Sequence, residues 1–270
     1  MSVAGLLLGD SRFPAGGHAH SGGVEPAVTA GTVTGLESLE LFLRGRLRTA
    51  GLVAAAAAGV ACAQGRGMPG EAAGFVRDKG IWAELDAEVD ARNPSPAQRE
   101  ASRRQGRALL RAARVTWPDA WWLAELAPPA GDRKAGAAAG STGAGPAEAT
   151  AAGSTGSSTV VRQEYRGGPH HAVVLGAAAA AAGCDPVEAA RIAAYQAVAG
   201  AVSAAVRLLA LDPMRASGVL ARLIGDIDQT AEQGASYAGL PPADLPCPSA
   251  PALDLLAEAH YQAEVRLFES

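Results

Sequence analysis

The sequence predicts an all-α protein, a single helical bundle domain spanning residues 1–270, on three observations. Helix-opening signatures recur along the chain, apolar residues return at helical spacing, and no segment alternates polar and apolar side chains long enough to make a strand. The composition agrees. With 49% hydrophobic and 19% charged residues the chain falls among globular proteins, and with 4% aromatic residues its core volume must come from Leu, Val and abundant Ala. Alanine has the highest helix propensity and lets helix axes approach closely, so tightly packed helices are expected.

The elements follow in order. Thr34-Gly35-Leu36-Glu37 has the form of a capping box, in which the Thr34 hydroxyl caps and Glu37 reaches back. It opens a helix from about Gly35 that carries Leu36, Leu39, Leu43 and Leu47 on one face. Glu71 to Ala91 reads as the next helix. Ser95-Pro96-Ala97-Gln98 starts another through about Val115, with proline at the first helical position, where its missing amide hydrogen costs nothing. Arg103, Arg104, Arg107, Arg111 and Arg114 on that helix read as a solvated face, and Pro118 to Leu126 as a short helix. His170 and His171 open an alanine-rich helix. Asp185-Pro186-Val187-Glu188 is a further box, whose helix is expected to be central and to bury the stripe Ile192, Tyr195, Ala199, Val202, Val206 and Leu209. Asp212-Pro213 stops it and caps a segment to about Gly234 that should turn back as a hairpin.

Two stretches break the pattern. Residues 129–159 are Gly, Ala, Ser, Thr and Pro with almost no large apolar side chain, which cannot offset ordering entropy, so a flexible loop is expected and Gly136 to Gly156 should be dispensable. Residues 236–251 form a proline-rich linker, expected to detach the tail 253–270 from the bundle. That tail keeps Leu255, Leu256, Tyr261, Val265, Leu267 and Phe268, more apolar surface than a solvated end needs, and reads as a docking segment that orders on a partner.

Other classes lose support. The net charge of -4 and the lack of aromatic residues among the arginines argue against nucleic acid. Cys62, Cys184 and Cys247 lie far apart without CxxC spacing, so buried, reduced thiols are expected. The apolar runs Gly51 to Cys62 and Ala172 to Cys184 fall short of the roughly 20 residues that span a bilayer, and the start lacks a cationic leader, so no membrane and a cytoplasmic location are expected. No phosphate-binding glycine motif is present and Ser21 lies outside a nucleophile elbow, so neither an enzyme nor a bound cofactor is expected. His18 and His20, with Glu25, are weak metal candidates, because a transition-metal site commonly takes three or four ligands.

What remains distinctive is the loop Pro14-Ala15-Gly16-Gly17-His18-Ala19-His20-Ser21-Gly22-Gly23-Val24-Glu25. It resembles the N-terminal signature of UreF-type urease accessory proteins in Pro14, Gly16, His18, His20, Ser21, Gly23 and Glu25. Glu100, Ser102, Gln105 and Gly106 resemble that family's Glu-x-Ser helix, His171 to Gly183 its small-residue helix, Ala205 to Leu208 its Ala-x-Arg-Leu segment, and Arg266-Leu267-Phe268 with Ser270 its carboxyl-terminal ending. The chain departs from the family at His18, at Val24 and at Asp212-Pro213. The resemblance implies an all-α homodimer and a non-catalytic adaptor. It would link a UreD/UreH-type scaffold protein and the UreG-type GTPase to the urease apoprotein, so that GTP hydrolysis by the partner drives nickel insertion. Its partner interface would comprise Tyr261, Arg266, Leu267, Phe268 and Arg207, the last read equally as a cation at a helix C-terminus. The alternative is a nickel-binding metallochaperone using His18 and His20, and a weaker one a helical hydrolase.

Overall fold

The computed structural model describes residues 2–10, 12–14, 20–67, 80–126, 167–263 and 266–268. Among them there are helices and no strand: α1 (Val3–Gly9), α2 (Val24–Thr29), α3 (Leu36–Arg46), a π-helical turn (Leu47–Gly51), α4 (Leu52–Gly67), α5 (Gly80–Ala91), α6 (Pro96–Thr116), α7 (Trp122–Glu125), α8 (His171–Ala181), α9 (Pro186–Leu208), α10 (Pro213–Arg222), α11 (Ile224–Ala235), a 3-10 turn (Pro242–Asp244) and α12 (Pro251–Tyr261). The expected loop 129–159 and residues 71–79 of the expected second helix lie outside the described residues.

Helix starts follow local chemistry. Ser95 Oγ accepts the Gln98 amide at 3.1 Å. Asp185 Oδ1 accepts the Glu188 amide at 2.8 Å, and Glu188 Oε2 accepts that of Asp185 at 3.4 Å. Asp212 Oδ1 accepts the Met214 amide at 2.9 Å. The first box is corrected: Gly35 is the N-cap of α3, and Ser38 Oγ accepts the amides of Thr34 (2.9 Å) and Gly35 (3.1 Å), which leaves Thr34 and Glu37 without the expected capping roles. The hairpin after Asp212 returns along α9 but divides at Leu223, and the helix expected from Pro118 shrinks to the four residues of α7.

α4 is the axle. Its buried residues are almost all Ala, Gly and Val, and it packs on α8, α9 and α11. The approach is backbone to backbone: a Cβ added at Gly176 of α8 would lie 2.2 Å from the Ala58 carbonyl oxygen, and one at Gly234 of α11 would lie 2.8 Å from the Ala55 carbonyl carbon. Two apolar clusters meet along α4 and α9. Leu8, Trp82, Leu85, Leu109, Leu123 and Leu175 fill one, and Val24, Leu39, Leu43, Leu47, Val198 and Leu223 the other. The α9 stripe is therefore corrected: the buried face carries Ile192, Ala194, Val198, Ala201, Val202 and Ala205, while Tyr195 is exposed, because alanine and not the larger residues faces the close neighbours.

Four more expectations change. Cys62 and Cys184 are buried, and removal from water pushes the Cys62 thiol up to about 12, but Cys247 is exposed on the proline-rich segment. Arg103 is not part of a solvated face; it turns inward to Asp86 and Asp90. The proline-rich segment does not detach the tail, since Leu245 is buried and Arg92 donates to the carbonyls of Ala243 (2.7 Å) and Leu245 (3.0 Å). Two helices, the continuous Leu36–Gly67 and Pro186–Leu208, are long and apolar enough to cross a membrane, contrary to the shorter runs read from sequence, and 67% and 56% of their apolar windows are buried inside the fold.

Candidate functional site

The signature loop turns into α2 through two successive glycines, Gly22 (φ +61°) and Gly23 (φ +85°), a left-handed pair that side-chain-bearing residues rarely adopt. The turn places Glu25 in the first helical turn, buried, where the helix end favours a carboxylate. Opposite it stands the end of the chain. The amide of Leu267 donates to Glu25 Oε1 and that of Phe268 to Oε2, both at 2.8 Å. His260, buried in the last turn of α12, brings Nε2 to 3.0 Å from Glu25 Oε2. The Arg207 guanidinium lies over the Phe268 ring at 5.6 Å, and that of Arg266 over the Tyr261 ring at 5.4 Å.

α12 itself is fastened to the start of α6. Glu258 Oε1 accepts from the Ser95 hydroxyl (2.5 Å) and the Ala97 amide (2.9 Å), which holds its carboxyl below the usual range, and Gln98 donates to the Leu253 carbonyl at 3.1 Å. Ala257 and His260 face inward, whereas Leu255, Tyr261 and Leu267 are exposed at 71%, 50% and 73%, apolar side chains left facing solvent.

Behind this face lies a cavity of about 780 Å³, whose lining includes His20, Arg46, Ser102, His171, Arg207 and Phe268. Arg46 donates Nε to the Ala197 carbonyl at 2.9 Å; burial lowers it to about 10, which leaves it charged at neutrality. His171 is pushed down to about 4, first by burial and then by the neighbouring His20. A histidine whose folded value is depressed favours the fold above its unfolded value of about 6.5 and loses that contribution as pH falls towards 4. Stability should therefore decline from pH 6.5 to 4, and the His171→Gln variant should flatten that part of a melting-temperature profile.

Deeper in, Asp86, Asp90, Ser102, Arg103 and His170 form one network. His170 Nδ1 is 3.0 Å from Ser102 Oγ and Nε2 is 2.9 Å from Asp90 Oδ1, while the His170 amide donates to Asp86 Oδ1 at 2.7 Å. The hydrogen bond to His170 and then the Arg103 guanidinium hold Asp90 down to about 2. The order Ser, His, Asp is that of a nucleophilic triad. Here, however, Ser102 Oγ also accepts the His171 amide at 3.2 Å and the His170 ring is sealed from solvent, so the arrangement locks the start of α8 against α5 and α6.

The structure thus joins Arg207, Glu25, Leu267 and Phe268, places Arg266 and Tyr261 beside them, and leaves Pro14 exposed and Ser21 buried. Gly16 and His18 lie outside the described residues. His20 lines the cavity, but both Glu25 oxygens are engaged by the tail, and among the described residues no group of three or more His, Cys, Asp or Glu is placed to hold a metal ion. Sequence reasoning missed His260 as Glu25's partner, because the two lie 235 positions apart and nothing local couples them. It also missed the Asp90–His170–Ser102 chain, although Ser102 had been singled out by its motif.

Comparison with known proteins supplies the context. The UreF family model matches residues 33–224. The chain is 39% identical to the urease accessory protein UreF of Mycolicibacterium vanbaalenii and of Mycobacterium marinum and 40% identical to that of Mycobacterium tuberculosis, in each case over 265 residues that cover 98% of this chain and 97% of the relative. Similarity that runs through the signature loop, the helical core and the tail alike is not confined to one motif: the chain belongs to the UreF family of urease accessory proteins.

Proposed function

We propose that this protein is a non-catalytic adaptor in the cytoplasmic maturation of urease, a homodimer whose tail docks a UreD/UreH-type scaffold protein. Through that complex it brings the UreG-type GTPase to the urease apoprotein, so that GTP hydrolysis by the partner is coupled to nickel insertion. The observation that carries the reading is the exposure of Leu255, Tyr261 and Leu267 on α12 and the tail, with the Arg266 guanidinium over the Tyr261 ring and the tail held by Glu25 instead of being buried. Exposed leucine and tyrosine side chains with an arginine among them are the composition of an interface centre.

Removing the chain from Arg266 onward tests it. The truncated protein should keep its helical circular dichroism and nearly its melting temperature, because Arg266, Leu267 and Phe268 fill neither apolar cluster. Pull-down of the scaffold protein should be lost. Normal pull-down would place the docking site elsewhere, and unfolding would make the tail part of the core.

A further inference from the structure

We infer that Glu25 is the positioning residue of the docking face: its carboxylate, joined to the tail, sets where Arg266, Leu267 and Phe268 stand. The inference rests on the docking role proposed above and names the device behind it. Residues 266–268 belong to no helix or strand, and the consecutive amides of Leu267 and Phe268 are handed to a single carboxylate at 2.8 Å each. Hydrogen bonds to a charged acceptor are shorter and stronger than neutral ones, and a carboxylate that takes two parallel donors also fixes their direction.

Apolar burial does not hold this segment. Leu267 is 73% exposed, and Phe268 is half-buried with its ring over Arg207. Glu25 is itself well anchored, buried at the start of α2 by the Gly22-Gly23 turn and faced by His260 at 3.0 Å. The Gly22-Gly23 turn near one end of the sequence therefore aims residues near the other. Loss of the clamp should free the tail without touching the bundle. Glutamine at position 25 keeps one acceptor oxygen but turns an amide group towards a second donor, and aspartate is one methylene too short to reach both amides from the same backbone.

The test uses the full chain. Amide hydrogen exchange at Leu267 and Phe268 is compared between wild type and Glu25→Gln, beside circular dichroism, melting temperature and affinity for the scaffold protein. The expected result is an unchanged fold, exchange at these two amides faster by about tenfold or more, and scaffold affinity lower by about tenfold or more. Glu25→Gln combined with truncation from Arg266 should lose no more affinity than truncation alone, as two changes in one device do. Unchanged exchange would overturn the inference, and so would faster exchange with wild-type affinity. If truncation itself leaves binding intact, the docking role fails while the exchange data still judge the clamp. Should Glu25→Gln not fold, Glu25→Asp, which cannot reach both amides, is read in its place. A rise in exchange supports the clamp, and none overturns it.

Discussion

Replacing Gly176 by alanine is expected to lower the melting temperature by roughly 6–12 °C, as an overpacking cost of about 3 kcal/mol would in a protein of this size. The added methyl group would meet the Ala58 carbonyl oxygen at 2.2 Å and the Ala61 Cβ at 2.6 Å, well inside contact distance. No side chain stands there to swing aside, so α8 would have to move off α4 along the longest contact in the fold. Gly45→Ala is the matched control. Nothing lies within 4 Å of a Cβ at that position of α3, and the substitution should stabilise by about 0.5–1 kcal/mol by removing a flexible residue from a helix. Opposite signs for the two variants, read by thermal denaturation, would establish that contact and not helix propensity sets the glycine pattern.

The second large effect is expected at Arg103. Its guanidinium donates to Asp86 Oδ2 and Asp90 Oδ1 at 2.8 Å each and to the Gly168 carbonyl at 2.5 Å, and the Asp86 side chain is only 5% exposed. Arg103→Ala would leave that carboxylate buried with the His170 amide and no cation, a change of the kind that costs about 3–5 kcal/mol. A fall in melting temperature of roughly 10 °C should follow. Arg103→Lys should recover only part of it, since an ammonium group cannot serve three acceptors arranged for a planar fork. Arg111→Ala, at an exposed position of the same helix, should stay within about 0.5 kcal/mol of wild type.

The contrast between these two arginines shows how far the sequence could be read. Spacing placed both on α6, and local chemistry placed the caps at Ser95, Asp185 and Asp212 correctly, because a cap involves residues two or three positions apart. Which arginine turns inward depends on Asp86 and Asp90, carried by a different helix, and that is a matter of assembly. The α9 stripe failed for a related reason. Helical spacing picked Tyr195 over Ala194, but close helix approach admits only the smaller side chain, so volume decided which face is buried. At the site, the two ends of the clamp were each marked by motif resemblance, Glu25 in the first and Leu267 with Phe268 in the last. Their union was not legible, since it passes through backbone amides, which leave no trace in residue identity.

The π-helical turn at Leu47–Gly51 has a consequence for phase. Leu39, Leu43, Leu47 and Ala55 all face the same apolar cluster, yet eight regular α-helical steps from Leu47 would carry Ala55 about 80° beyond two full turns. A π turn absorbs one extra residue, so the rotation is that of about seven steps and Ala55 returns to within roughly 20° of Leu47's direction. The turn thus acts as a one-residue reservoir within the 32-residue helix. A deletion between Arg48 and Ala50 could be met by tightening it to a regular helix, with the leucines of α3 and the alanines of α4 still in line. The same deletion elsewhere in the helix would rotate one set out of register with the other.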